Sequence, residues 1–236
     1  MARTVVSLMG AGNVLVSAPA LATLITFESQ EWELRLYDAL EERLDLADLL
    51  ARTLNDGAAG SRHRIRSSND PAEMLEDADI GLLMVDEGTA RRMKGTRPLE
   101  HDLELDMPRS VLELRRGDPN QPTPPDQLSP RTRTLLEVPI DQETPGPKLI
   151  AEAVEKLMSL VSAQPHWLWL GPDAPAHPPA NLEILDWPPA LSPIQEQGMP
   201  HQVMRWAMKT EPMDDLLKQA HDNPLQAWLK EHIGRR

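Results

Sequence analysis

The sequence has no cysteine, few aromatic residues and no long apolar run. The lack of cysteine excludes disulfides, thiolate nucleophiles and cysteine-ligated metal sites, and it favours a reducing compartment. Aromatic residues make up only 3% of the chain, so aliphatic side chains must form most of the core. No stretch approaches the ~20 apolar residues of a membrane span, and the apolar N-terminal run is too short for a signal peptide. We therefore expect a soluble, cytoplasmic protein.

Positive charge is also scarce in this chain. Lys and Arg number 24 against 37 Asp and Glu, which gives a formal net charge of -13. Binding to nucleic acid or to an anionic membrane surface needs a basic face. The charge balance therefore predicts that neither nucleic acid nor membrane is a partner.

The first 85 residues alternate apolar runs with amphipathic segments. Buried or half-buried strands are predicted over residues 4–9, 33–37, 63–67 and 80–85. Helices are predicted over residues 17–28 and 39–56 and from Pro71, with Ser17 and either Asn69 or Asp70 as N-caps. This alternation requires parallel strands joined by crossover connections.

Proline is frequent in the middle of the chain, where a long irregular segment is predicted over about 107–147. A helix is predicted over 148–161, strands over 167–170 and 182–185, and two or three short helices at the end. The six strands predict a three-layer α/β fold of Rossmann type, with a mostly parallel sheet in the order 3-2-1-4-5-6. Residues 1–195 would form a dinucleotide-binding domain. Residues 196–236 would form a helical extension that packs on this domain or on a partner.

A glycine-bearing turn follows the first predicted strand and comprises Gly10, Ala11, Gly12, Asn13 and Val14. In dinucleotide-binding turns, the first glycine permits a tight turn and the second lets a pyrophosphate approach the backbone. The N-terminus of the following helix then binds the anion. Leu15 stands where a third glycine is usual.

Asp38 ends the second predicted strand. An acid at this position accepts hydrogen bonds from the adenosine ribose and disfavours a 2′-phosphate. The turn and the acid together predict an NAD site. The alternative is a plain strand-to-helix turn at Gly10 and Gly12, with Asp38 acting as a helix cap.

Three stretches, LMGAGNV, ELRLYDALEERL and SSNDPAEMLEDADIGLLMV, resemble the N-terminal half of the NAD-dependent family 4 glycosidases. That family includes 6-phospho-glucosidases, α-galactosidases and α-galacturonidases. DQETPGP at residues 141–147 is similar to the family's GQETxGPGG segment, which also leads into a helix. The resemblance covers most of residues 4–160, with an altered stretch between about 90 and 138.

The resemblance implies hydride transfer from a sugar to NAD, followed by elimination driven by a base and assisted by a divalent metal. It implies that Gly10, Gly12 and Asp38 hold the cofactor. It also implies that the substrate side is lined by Gln142, Glu143 and Thr144. Glu143 is a candidate acid or base, and the alternative is that it caps the helix starting near residue 147.

The chain departs from that family in its catalytic parts. It has no cysteine for the metal, its single tyrosine is Tyr37 in a predicted strand, and WLGPD at 169–173 replaces an asparagine-rich signature. The family's large C-terminal substrate domain has no counterpart. We therefore expect no metal and an NAD(H)-binding module, either regulatory or an incomplete enzyme. The alternatives are a metal-independent NAD-dependent oxidoreductase or sugar-modifying enzyme, and a scaffold that binds no nucleotide.

Tryptophan is concentrated in the second half of the chain, which also contains several methionines. Such residues are common at interfaces and predict a homo-oligomer formed through this half. The alternative is that the tryptophans pack the C-terminal helices on the sheet. The residues concerned are Trp167, Trp169, Trp187, Trp206, Trp228, Met199, Met204, Met208 and Met213.

Overall fold

The computed structural model of the chain describes residues 3–95, 145–171, 174–185, 187, 201–209 and 211–233. Within these ranges the strands are β1 (Thr4–Met9), β2 (Trp32–Tyr37), β3 (Arg64–Ser68), β4 (Ile80–Leu83), β5 (His166–Trp169) and β6 (Leu182–Ile184). The helices are α1 (Val14–Thr26), α2 (Glu41–Ala58), α3 (Pro71–Leu75), α4 (Glu87–Met93), α5 (Gly146–Ser159), α6 (Asp214–Ala220) and α7 (Pro224–His232). Residues 201–207 are also helical.

The strands form one sheet in the order β3-β2-β1-β4-β5-β6, and every neighbouring pair is parallel. The predicted α/β class and strand order are therefore confirmed. β1 lies between β2 and β4, where the strand order reverses direction. In open parallel sheets this switch point is where ligands bind, outside the carboxyl ends of the strands.

Helices cover both faces of the sheet. On one face α1 and α2 pack with the C-terminal helices in a single apolar cluster that includes Val203, Trp206 and Leu225. On the other face, side chains of α3, α4 and α5 form a second cluster that includes Met74, Ala90 and Leu157. The predicted three layers are thus present, with the C-terminal helices joined to the α1 layer.

Helix α1 is buried on almost all sides, because eleven of its thirteen residues are buried. The sequence VLVSAPALATLIT contains no charged side chain, so the helix has no face suited to water. The sheet and α2 cover part of its surface, and α6 and α7 cover another part. The amide Nδ2 of Asn223, at the start of α7, donates to Oγ1 of Thr23 in α1 at 2.7 Å.

The start of α1 differs from the prediction. The helix begins at Val14, and Asn13 holds the N-cap position, so the assignment of Ser17 as N-cap was wrong. The reason is that the N–H of Ser17 already donates to the carbonyl of Asn13 at 2.9 Å, which places Ser17 inside the helix. The cap of α3 is Asp70, whose side chain accepts from the N–H groups of Ala72 and Glu73.

The remaining predicted elements differ from the structure by one or two residues at their ends, except β1, which matches. Helix α4 was not predicted, although Asp86 and Glu87 at its start and two arginines in its last turn are typical helix-end residues. In the described ranges, no helix combines the length and apolar character needed to cross a membrane.

The tryptophans of the second half are buried within this single chain. Their exposed fractions lie between 0% and 8%, so their indole surfaces already have partners inside the fold. Met204 and Met208, by contrast, are 39% and 62% exposed. The predicted homo-oligomer stays a prediction, and its surface would have to be built from side chains other than these tryptophans. The buried residues are Trp167, Trp169, Trp187, Trp206 and Trp228.

Candidate functional site

The strand register brings the predicted cofactor residues to one edge of the sheet. The last residue of β1, Met9, is aligned with Tyr37 of β2 and with Leu83 of β4. The residues that follow these strands, Gly10 and Asp38 among them, therefore meet at the carboxyl edge. This edge includes the switch point between β1 and β4.

Gly10 has a backbone conformation that suits glycine alone. Its φ is +89°, and an added Cβ would lie 2.8 Å from the carbonyl carbon and oxygen of Met84. The side chain of Asn13 donates to the same carbonyl oxygen at 3.2 Å. The first glycine of the motif thus allows the turn to pack directly on the chain leaving β4.

The amides of the glycine turn are each hydrogen-bonded inside the chain. The N–H groups of Gly10 and Ala11 both donate to the carbonyl of Tyr37, at 2.9 and 2.8 Å. Gly12 N–H donates to Oδ2 of Asp38 at 2.9 Å. The N–H groups of Asn13 and Val14 donate to carbonyls within the turn, at 3.0 and 2.8 Å. A phosphate would have to replace one or more of these acceptors.

Asp38 is fully buried and joins three elements of the edge. Its Oδ1 accepts from the N–H of Leu40 at 2.9 Å, and its Oδ2 accepts from the N–H of Gly12. The hydroxyl of Thr89, in α4, lies 3.2 and 3.3 Å from its two oxygens. Leu40 is itself the N-cap of α2, which has no side-chain cap, so this carboxylate holds together the turn that precedes α2 and the glycine turn.

Burial raises the pKa of Asp38 to about 6. The neighbouring charge of Arg43 and the N–H groups of Leu40 and Gly12 act in the opposite direction, and Asp86 adds to the rise. The loss of hydration disfavours the ionised form most strongly, because the side chain has no exposed surface. The charge of this site consequently changes near pH 6.

The side chain of Arg43, in α2, extends across the carboxyl edge of the sheet and contacts the start of α4. Its Nη1 lies 2.8 Å from Oδ2 of Asp86 and 3.5 Å from the hydroxyl of Thr89. Its Cβ occupies the space beside Gly12, so that an added Cβ on that glycine would collide with it. Gly12 is therefore required here by the close approach of α2.

Arg43, Asp86 and Thr89 were not singled out from the sequence. One signal was available for Arg43, because a basic side chain in the first turn of a helix is opposed by the helix dipole. Asp86 directly follows the predicted fourth strand, which is another position where ligand-edge residues occur. Thr89 gave no comparable signal.

Tyr37 is not suited to act as a base in this structure. It is 3% exposed and packs in the apolar cluster on the α5 side of the sheet. Burial raises the pKa of its hydroxyl above the ordinary value, and the charges of Asp38 and Asp70 raise it further. The hydroxyl therefore stays protonated at physiological pH.

The predicted substrate-side residues Gln142, Glu143 and Thr144 lie outside the described residues, as does most of the predicted irregular segment. Gly146, which begins α5, packs against the carboxylate of Glu87. No group of three His, Cys, Asp or Glu side chains within the described ranges is arranged to hold a metal ion.

The fold and this edge define an α/β protein of the Rossmann-like class, with six parallel strands and a glycine turn at its switch point. No protein-family model and no curated protein matches the sequence.

Proposed function

We propose that the chain is an NAD(H)-binding module related to the family 4 glycosidases, with a binding or regulatory role rather than a complete glycosidase activity. The observation that carries the proposal is the unit formed by β1, the glycine turn and α1 at the switch point of the sheet. This is the position at which Rossmann-type proteins receive a pyrophosphate.

The charge distribution at the helix starts supports a phosphate near α1. This helix has no acidic side chain in its first turn, as is also true of α5 and α7, whereas α2, α3 and α4 each carry at least one. A helix N-terminus attracts an anion, and the effect is strongest within the first turn. The pyrophosphate would lie at Asn13 and Val14 and would replace the internal acceptors of their amides.

Two carboxylates favour NAD over NADP in this proposal. Asp38 and Asp86 both lie at the edge, and a 2′-phosphate would add negative charge beside them. Arg43 offsets part of this charge through its contact with Asp86. Recognition of the ribose by Asp38 would require its buried carboxylate to become accessible and to accept bonds in addition to those from Gly12, Leu40 and Thr89.

The test is a calorimetric titration of the purified protein with NAD+, NADH and NADPH at pH 8. We expect saturable binding of NAD+ or NADH and weaker binding of NADPH. The variant Asn13→Asp places a negative charge at the start of α1 and should weaken NADH binding by about tenfold or more, because it repels the pyrophosphate.

Asn181→Asp is the matched control for this titration. It makes the same charge change just before β6, at the opposite edge of the sheet, and should leave the affinity for NADH unchanged. Absence of binding at millimolar NAD+ and NADH would rule the proposal out. Equal weakening by both variants would show that overall charge, rather than the α1 site, governs binding.

A second candidate is a scaffold that keeps the fold and binds no nucleotide. The observation that favours it is the complete internal hydrogen bonding of the five amides from Gly10 to Val14. The same titration separates the two candidates, because the scaffold gives no heat with any of the three nucleotides.

A further inference from the structure

The pair formed by Arg43 and Asp86 connects the two helical layers of the molecule. Arg43 belongs to α2, on the face shared with α1, whereas Asp86 caps α4 on the opposite face. Their side chains are only 13% and 27% exposed, and the N–O distance is 2.8 Å. The contact therefore lies partly inside the edge of the sheet and not on the open surface.

The ion pair between Arg43 and Asp86 lies across the switch point between β1 and β4. The Cβ of Arg43 lies beside Gly12, and its guanidinium contacts Asp86 at the start of α4, the helix that follows β4. A ligand lying between the β1 and β4 turns must occupy the same crevice. In the function proposed above a dinucleotide lies between these turns, so that it and the guanidinium compete for the same space.

We propose that the ion pair between Arg43 and Asp86 is a clasp that closes the nucleotide crevice and must open before a dinucleotide binds. This inference rests on the function proposed above. The apparent affinity is then the intrinsic affinity multiplied by the fraction of molecules in which the clasp is open, so a mostly closed clasp weakens binding. Opening leaves α4 intact, because Oδ1 of Asp86 caps the N–H of Thr89 independently at 2.8 Å.

Two variants open the clasp in different ways. Arg43→Ala removes the guanidinium, and Asp86→Asn removes the charge of its partner while keeping the Oδ1 cap of α4. Each should bind NADH about tenfold more tightly than the unaltered protein, since the open form becomes the main population. Arg52→Ala is the control, because Arg52 lies on the same helix and pairs with Asp48 away from the edge.

The measurement is the dissociation constant for NADH, obtained by fluorescence titration at pH 8 after circular dichroism has established that each variant is folded. Tighter binding by both variants, with Arg52→Ala unchanged, supports the clasp. Weaker binding by Arg43→Ala would overturn it, because Arg43 would then be a ligand of the phosphate. Unchanged affinity in both variants would overturn it as well.

The result also separates the clasp from the function on which it rests. Binding by the variants but not by the unaltered protein would support the clasp and contradict NAD(H) binding by the natural chain. Absence of binding in all proteins would contradict both, since opening the crevice would then create no site.

Discussion

Asp38 is the residue at which the turns of the carboxyl edge converge. Its carboxylate receives the N–H groups of Gly12 and Leu40, and its main-chain carbonyl accepts from the side chain of Asn69 at 2.7 Å. A buried acceptor of this kind fixes the relative positions of several loops, because each lost bond would leave a polar group unsatisfied. Its position was predictable from the sequence, whereas its burial depends on residues that come from α2 and α4.

The titration of Asp38 gives a prediction for stability. Its pKa is raised by burial to about 6, above the ordinary value near 3.8, so the folded protein binds a proton more tightly than the unfolded chain between these values. The resulting stabilisation is present below about pH 4 and is lost as the pH rises through 6. Asp38→Asn cannot titrate and should not show this loss.

The measurement is the free energy of unfolding in urea for both proteins between pH 4 and pH 7.5. Relative to the unaltered protein, the free energy of unfolding of Asp38→Asn should increase by on the order of 2 kcal/mol between pH 4 and pH 7.5. Asp45→Asn, at an exposed position of α2, should follow the unaltered protein at every pH. Parallel curves for the unaltered protein and Asp38→Asn would show that the pKa of Asp38 is not raised.

At the scale of elements, α1 explains why the C-terminal helices are needed. A helix with no charged residue cannot present a face to water, so the sheet on one side is not sufficient to cover it. The sequence identified α1 and the short C-terminal helices separately. It did not identify their contact, since the apolar pattern does not specify whether such a helix is covered by its own chain or by a partner.

Asn223 provides a test of the contact between α1 and α7. Its Oδ1 caps the N–H of Gln226 at 2.9 Å, and its Nδ2 donates to Thr23 of α1. Asn223→Ala removes these two bonds and a third, from Nδ2 to the carbonyl of Gln219 at 2.8 Å, and should lower the free energy of unfolding by about 1–2 kcal/mol. The exposed neighbour Asp222→Ala is the control for urea unfolding, and equal stability of the two variants would exclude this role of Asn223.

The ends of elements were the least predictable part of the fold. Ser17 was expected to cap α1 because a serine before an apolar run is a usual N-terminal signal. The helix starts earlier because the glycine turn is tied to the carbonyl of Tyr37, which fixes where the chain can begin to coil. Contacts of this kind come from another strand and are not visible in a local pattern.

At the scale of the whole molecule, the strand order was predictable because alternating strands and helices leave few arrangements. The convergence of the glycine turn and Asp38 followed from the same order, since parallel strands end at a common edge. The clasp was not predictable, because Arg43 and Asp86 are distant in the sequence and meet only when both helical layers have formed. Gln142, Glu143 and Thr144 lie outside the described residues, so their assignment to the substrate side stays a prediction.

The central claim is that a dinucleotide binds at the glycine turn, and glycine-selective 15N labelling tests it directly. The chain has 12 glycines, and the amide signals can be followed during a titration with NADH. Gly57 and Gly60 serve as internal controls, because they lie at and just beyond the far end of α2, roughly 25 Å from its start. We predict that the signals of Gly10 and Gly12 shift with saturation while those of Gly57 and Gly60 remain in place; signals of Gly10 and Gly12 that stay unmoved at millimolar NADH would contradict the account.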